Sequence, residues 1–131
     1  RICVDDDVDT ARIALAKSTM GYALGAGVPS DRERQLGYRA HFERMGFADE
    51  LANLDSMRAR GASRDEVADA FPENILQTVA YFGRADGAAA AFKRLSKGLD
   101  MAIVRVVASG PGLGSVRAAM QACAPTRIDS V

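Results

Sequence analysis

The chain has 131 residues, of which 48% are hydrophobic and 26% are charged, and these fractions exclude a mostly disordered protein. Lys plus Arg and Asp plus Glu each number 17, so the formal net charge is zero. A zero balance argues against a domain built to bind nucleic acid or anionic lipid. No stretch reaches the roughly 18 apolar residues of a membrane-spanning helix. We therefore expect the chain to bind neither nucleic acid nor a membrane.

Helix formers fill most of the chain up to residue 98, and each helical segment ends at Gly or Pro. One short β-branched strand, Ile2–Val4, precedes them and ends at three consecutive Asp residues. Two capping boxes, Ser30 with Glu33 and Ser63 with Glu66, mark helix starts. The predicted helices cover residues 9–24, 30–45, 49–60, 63–71, 72–82 and 86–97, the last of them capped by Asp86.

The pattern changes after residue 100. Residues 101–107 form a near-continuous β-branched run, which predicts a parallel strand covered on both faces. A Gly-rich turn at 109–114 and a helix at 115–122 follow. The order therefore predicts an α/β fold with two parallel strands, a helical crossover and a closing helix. Two strands are too few for a stable sheet, so we expect further strands from a partner or from sequence before Arg1.

Several short motifs follow one another along the chain: Val4 with the three Asp residues, Thr10-Ala11-Arg12, Tyr22, Gly46-Phe47, Glu50, Phe71-Pro72-Glu73, Gly83 and the segment from Leu95 to Arg105. Over roughly residues 2–125, their order and spacing resemble the C-terminal part of the luciferase-like monooxygenase family. That family includes bacterial luciferase, flavin-dependent monooxygenases and deazaflavin-dependent methylene-tetrahydromethanopterin reductases. Where the family often has Gly-Thr-Pro-Glu, this chain has Gly-Arg-Ala-Asp at 83–86.

The resemblance implies a single partial domain over residues 1–131, the predominantly helical C-terminal portion of a TIM (β/α)₈ barrel. By this resemblance, Ile2–Val4 would be its seventh strand and residues 101–107 its eighth. A whole barrel needs about 250 residues, so this chain would hold only the last quarter of its strands. The parent protein would be a cytoplasmic, homo-oligomeric oxidoreductase or monooxygenase that acts on a small molecule. It would exchange hydride with FMN or the deazaflavin coenzyme F-420. We expect this fragment alone to bind neither cofactor tightly and to be inactive.

A second interpretation stays open. The chain would then be a small helical α/β interaction module that completes its sheet by self-association and has no enzymatic activity. The two interpretations differ in whether the reading frame continues before Arg1, by about 150–200 residues for a barrel.

Four residues are predicted to contact the cofactor: Ser109, Gly110 and Gly112 of the turn, and Arg105, which interrupts the apolar strand near its C-terminal end. Backbone N–H groups of a turn that opens a helix can bind phosphate, and barrels often hold phosphate after strands 7 and 8. The alternative is that Gly and Pro are simply turn residues here. Arg105 could equally reach solvent or pair with an Asp.

Asp5, Asp6 and Asp7 follow the first strand and could bind a metal or transfer protons. We favour a capping role at the start of the next helix, and predict no metal site. Cys3 and Cys123 could form a disulfide, although a reduced pair is favoured.

The remaining candidates have structural interpretations, and no catalytic residue is assigned. His41 is expected on a helix surface or helix interface. Leu36, Tyr38, Phe42 and Met45 are predicted to form the apolar side of their helix.

Overall fold

The computed structural model describes residues 1–25 and 30–125 and has the predicted α/β class. No helix in this described part of the chain is long and apolar enough to cross a membrane. The elements in chain order are β1 (Ile2–Val4), α1 (Val8–Ala23), α2 (Asp31–Leu36), α3 (Tyr38–Phe42), a π-helical turn (Glu43–Phe47), α4 (Ala48–Ala59), α5 (Arg64–Asp69), α6 (Glu73–Val79), β2 (Tyr81–Gly83), α7 (Ala85–Leu95), β3 (Val106–Val107) and α8 (Gly114–Cys123).

The chain forms two compact units. The first unit joins Arg1–Leu15 to the chain from Gln77 onward, and it holds the sheet together with α7 and α8. The second unit, Ala16–Leu76, is helical and contains α2 to α5.

The described sheet has three parallel strands in the order β2-β1-β3, so the prediction of two strands is wrong. Ile2 pairs with Tyr81 on one side and with Val106 on the other. In a barrel that follows sequence order, strands that are consecutive in the chain are neighbours. Here the central strand comes first in the chain, and the two edge strands follow it.

Strand β2 occupies residues that the sequence pattern assigns to a helix end. Helix α6 ends at Val79, and the backbone N–H of Tyr81 then donates to the carbonyl of Arg1 (3.0 Å). Gly83 has φ +146°, a left-handed conformation that favours glycine. The β-forming pair Tyr81-Phe82 therefore leaves the helix and pairs with β1.

Strand β3 is shorter than the predicted strand over 101–107. Only Val106 and Val107 pair with β1, because β1 itself has three residues and its Ile2 already lies opposite Val106. Met101 and Ile103 lie beyond this register and are 79% and 84% exposed. The prediction that the whole run is a strand covered on both faces is wrong.

One buried cluster of the first unit lies on one face of the sheet. Ile2 and Val4 project to this face and are buried against Ala88 of α7 and Ala119 of α8. By register, Cys3 projects to the opposite face, as do its neighbours Phe82 and Val107. Both helices that flank β3 in the chain therefore pack on the same side.

The helices of the second unit begin as predicted at both capping boxes. The Ser63 hydroxyl accepts from the Glu66 N–H (3.2 Å), while the Glu66 carboxylate accepts from the Ser63 N–H (2.7 Å). Ser30 and Glu33 make the equivalent pair. The left-handed φ of Gly46 (+96°) also agrees with its predicted role at a helix end.

The single helix predicted over 30–45 is interrupted at Gly37, whose ψ is 168°. The break separates α2 from α3, so residues on either side do not share one helical face. Phe42 is buried, as predicted, but Leu36 and Tyr38 are 72% and 64% exposed. Their assignment to a buried apolar side is wrong, although the Tyr38 ring contacts Tyr22 edge-on at 5.0 Å between centroids.

Candidate functional site

Asp5 connects the carboxyl ends of all three strands. Its backbone N–H donates to the carbonyl oxygen of Gly83, where β2 ends (3.0 Å). Its side-chain Oδ2 accepts a hydrogen bond from the hydroxyl of Ser109, which follows β3 (2.5 Å). The other carboxylate oxygen accepts from the N–H of Asp7 (3.0 Å). One residue thus holds together loops that are far apart in the chain.

A cleft of about 220 Å³ opens beside this junction, at the carboxyl edge of the sheet. Parallel α/β proteins place their ligands at this edge, both in barrels and in open sheets. The cleft is bordered by the end of β1, the start of α7 and the first turns of α8. Its lining residues are Val4, Asp5, Asp6, Ala85, Gly114, Ser115 and Ala118.

Hydrogen bonds lower the pKa of two carboxylates at this edge, Asp5 and Asp7. The Ser109 hydroxyl is the main cause of a lowered pKa at Asp5, with the Asp7 N–H as the next contribution. The Thr10 hydroxyl has the same effect on the pKa of Asp7. Each bond stabilises the charged carboxylate relative to its protonated form. At neutral pH the edge therefore carries fixed negative charge.

The capping role predicted for the acidic residues is confirmed at Asp7. Its Oδ1 accepts from the N–H groups of Asp9 (3.0 Å) and Thr10 (3.4 Å), and its Oδ2 accepts from the Thr10 hydroxyl (2.9 Å). Asp7 therefore caps α1. Asp5 instead joins strands, and Asp6 is exposed at the cleft.

The Gly-rich turn contributes to the site chiefly through Ser109 and Ser115. The N–H of Ser109 donates to the Ser115 hydroxyl (3.2 Å), which closes the turn onto the first turn of α8. Gly110 and Gly112 are exposed and do not line the cleft. Gly112 has φ +86°, which gives it a conformational role in the turn.

Arg105 lies at the other end of the sheet from Ser109. It precedes β3, and its carbonyl oxygen accepts from the N–H of Ile2 at the amino end of β1 (2.9 Å). The prediction that Arg105 lies near the C-terminal end of a strand is therefore wrong. The structure bonds Ser109 to Asp5 beside the cleft, although Ser109 is not a lining residue, and it leaves Arg105 at the other end of the sheet.

Gly114 and Ser115 belong to the turn considered for phosphate but are not among the four predicted contacts, and Ala85 is not predicted at all. A signal for the first two was present, because they open the helix that follows a strand. Ala85 had no such signal, since its position depends on β2, which the sequence pattern did not reveal.

The cleft combines N–H donors with carboxylate acceptors. Helix α8 starts at Gly114 without a side-chain cap, so its first N–H groups can donate to a ligand. Asp5 and Asp6 oppose the binding of a highly charged phosphate at the same place. The arrangement is suited to a neutral ligand portion with hydroxyl groups, which can both donate to carboxylates and accept from N–H groups.

Other candidate groups lie outside this cleft. His41 is exposed on α3, as one of the two predicted alternatives allows. Cys3 and Cys123 are both free thiols. Over residues 1–25 and 30–125, no three His, Cys, Asp or Glu side chains are placed to hold a metal ion.

Comparison of the chain with protein-family models, with curated proteins and with solved structures finds no match.

Proposed function

We propose that the chain is the C-terminal portion of a luciferase-like oxidoreductase, and that its cleft holds part of a flavin or deazaflavin cofactor. The observation that carries the proposal is the hydrogen bond between Ser109 and Asp5. It aligns the loops after two adjacent parallel strands at the edge where such folds bind ligands. The motif resemblance at Val4 and the acidic residues supports the same edge.

The chemistry of the cleft suggests which part of the cofactor it contacts. FMN and deazaflavin coenzymes share a polyhydroxylated chain between the ring system and the phosphate. Hydroxyl groups of such a chain can donate to Asp5 or Asp6 and accept from the first N–H groups of α8. The protein would orient the cofactor, which itself supplies the hydride chemistry.

The packing of α7 and α8 on one face also supports a barrel, in which helices surround the strands on the outer side. The strand order β2-β1-β3 places one requirement on the barrel proposal. In a barrel that follows sequence order, the edge of β1 opposite β3 belongs to the strand that precedes β1. The proposal therefore requires the three-residue strand β2 to give up its bonds to β1 in the whole protein.

The test is expression of the complete reading frame that contains these residues, followed by absorbance and fluorescence titrations with FMN and with coenzyme F-420. We expect stoichiometric binding of one cofactor, weakened by Asp5→Asn. Ser56→Ala serves as a control, because its hydroxyl donates to Ala52 within α4. Binding of neither cofactor, or a structure of the longer protein that retains β2 on β1, contradicts the proposal.

A self-associating module is the second candidate function. The observation that favours it is the exposed apolar segment before β3, where Met101 and Ile103 are largely exposed. Strand β3 also has β1 on one side only in the described sheet, so its other edge can pair with another chain. Sedimentation of the purified chain distinguishes this function, because it requires a stable oligomer without any cofactor.

A further inference from the structure

A second cleft lies in the helical unit, and its size is suited to a small molecule. It has a volume of about 350 Å³, at the lower end of the range for ligand pockets. Its apolar lining includes Met20 and Leu24 near the end of α1 and Val67 of α5. Gly21 lies between these α1 residues, and a side chain added there would meet no atom within 4 Å. The cleft therefore has room beside a hydrophobic wall.

Two arginines border the same cleft. Arg58 of α4 donates from Nη1 to the carbonyl oxygen of Leu24 (3.3 Å). Arg64 of α5 donates from Nη2 to the carbonyl oxygen of Lys17 (3.0 Å). A guanidinium group has five N–H donors, so these bonds leave further donors on both side chains. The cleft thus combines an apolar wall with two cationic groups.

The nearby carboxylates are shared with other cations. Asp55 lies 3.5 Å from Arg58 through Oδ1, while its Oδ2 accepts from Arg39 (2.8 Å). Asp65 pairs with Lys17 at 2.7 Å. Arg39 in turn pairs with Glu43 at 2.6 Å. The cations of these pairs, counted together with Arg64, outnumber the three carboxylates by one, so the excess of positive charge near the cleft is a single unit. The cations are Lys17, Arg39, Arg58 and Arg64, and the carboxylates are Glu43, Asp55 and Asp65. This single unit limits the negative charge that a ligand can carry, which favours a monoanion over a phosphate.

We propose that this cleft binds a monocarboxylate with an apolar tail. The tail packs against Met20, Leu24 and Val67, and the carboxylate accepts hydrogen bonds from Arg58 and Arg64. Arginine is suited to this role because its planar group binds carboxylate through two parallel N–H donors. The site lies in the second unit and is independent of the cofactor proposed for the sheet edge.

The test is calorimetric titration of the full chain with octanoate, and with 1-octanol and acetate as comparison probes. We expect saturable binding of one octanoate. The affinities for 1-octanol and acetate should each be weaker by about tenfold or more, because 1-octanol lacks the carboxylate and acetate lacks the apolar tail. Equal binding of octanol and octanoate, or no saturable octanoate binding, overturns the proposal.

Two variants locate the octanoate site. Arg64 is exposed, so Arg64→Gln should fold normally and lose about tenfold in octanoate affinity. Gly21→Phe should fill the cleft and abolish binding, whereas Gly21→Ala, its matched control, should retain it. Thermal melts verify that the variants fold. Unchanged octanoate affinity in Arg64→Gln, or in a folded Gly21→Phe variant, overturns the proposed location.

Discussion

The hydroxyl of Ser109 is the main cause of the lowered pKa of Asp5. In Ser109→Ala, we expect the pKa of Asp5 to rise towards its ordinary value of 3.8, because its principal hydrogen-bond donor is lost. Carboxyl-carbon NMR titration measures this change directly. Ser56→Ala is the control, since its hydroxyl bonds within α4. An unchanged pKa of Asp5 in Ser109→Ala would contradict the assignment.

The same bond gives a defined pH dependence of stability. Because the pKa of Asp5 is lowered on folding, its contribution is complete above the ordinary pKa of 3.8. It is lost as the pH falls through the lowered pKa of the folded protein. The difference in free energy of unfolding between the wild type and Ser109→Ala should therefore be constant at neutral pH and shrink in acid.

The two thiols should differ in reactivity. Cys3 is fully buried in β1, and burial together with the nearby Asp5 charge raises its pKa to about 11. Cys123 is partly exposed at the end of α8, although burial also raises its pKa. Because the thiolate is the reactive form, native protein should be alkylated by iodoacetamide at Cys123 well before Cys3. Mass spectrometry of digested samples measures each site.

A denatured sample provides the control for the thiol experiment, because both cysteines should then react at similar rates. Faster alkylation of Cys3 than of Cys123 in the native protein would show that β1 opens readily. It would also contradict the burial of the central strand.

At the scale of elements, Tyr81 restricts helix α7. Its hydroxyl donates to the carbonyl oxygen of Arg84 (2.7 Å), and a Cβ at Gly87 would overlap this hydroxyl. We expect Gly87→Ala to destabilise the protein by about 1–3 kcal/mol, although Ala normally favours a helix. Urea unfolding measures the change.

Gly21 is the matched comparison in α1, because its neighbourhood is open. Gly21→Ala should stabilise the protein by up to about 1 kcal/mol. Combining Gly87→Ala with Tyr81→Phe should recover part of the loss, since the overlapping oxygen is then absent. Equal stabilisation by both Gly→Ala substitutions would mean that Tyr81 does not restrict α7.

Local signals in the sequence predicted the elements whose stability is local. Both capping boxes have the predicted residues, because each depends on neighbours within a few positions. Strand β1 also has its predicted bounds, although its pairing partners lie far along the chain. Helices α4 and α8 likewise lie within one or two residues of their predicted bounds. Asp86 was expected to cap α7, but the cap position is Arg84 and Asp86 lies in the first turn.

Elements defined by pairing were not predictable in the same way. Strand β2 lies at the end of the helix predicted over 72–82, and it forms because β1 offers an edge for pairing. Strand β3 is limited by the length of its partner and not by its own apolar run. At the site, the hydrogen bond from Ser109 to Asp5 depends on sheet register, which the sequence does not encode locally.

For the whole molecule, the exposed segment before β3 should control association. Ile103 is 84% exposed next to an edge strand, which favours contact between chains. We expect Ile103→Lys to reduce concentration-dependent association in sedimentation velocity. Leu36→Lys is the control, since Leu36 is 72% exposed on α2. Equal effects of both substitutions would indicate nonspecific apolar contact.

The hydrogen bond between Asp5 and Ser109 joins residues 104 positions apart, and the pairing of Ile2 with Val106 spans the same distance. A ribosome adds about 5–20 residues per second, so β1 waits roughly 5–20 s during synthesis before β3 emerges. During that interval β1, the central strand of the completed sheet, cannot pair with β3. The carboxyl edge is therefore completed only after β3 and Ser109 have been synthesised, and formation of the sheet requires the closure of long loops.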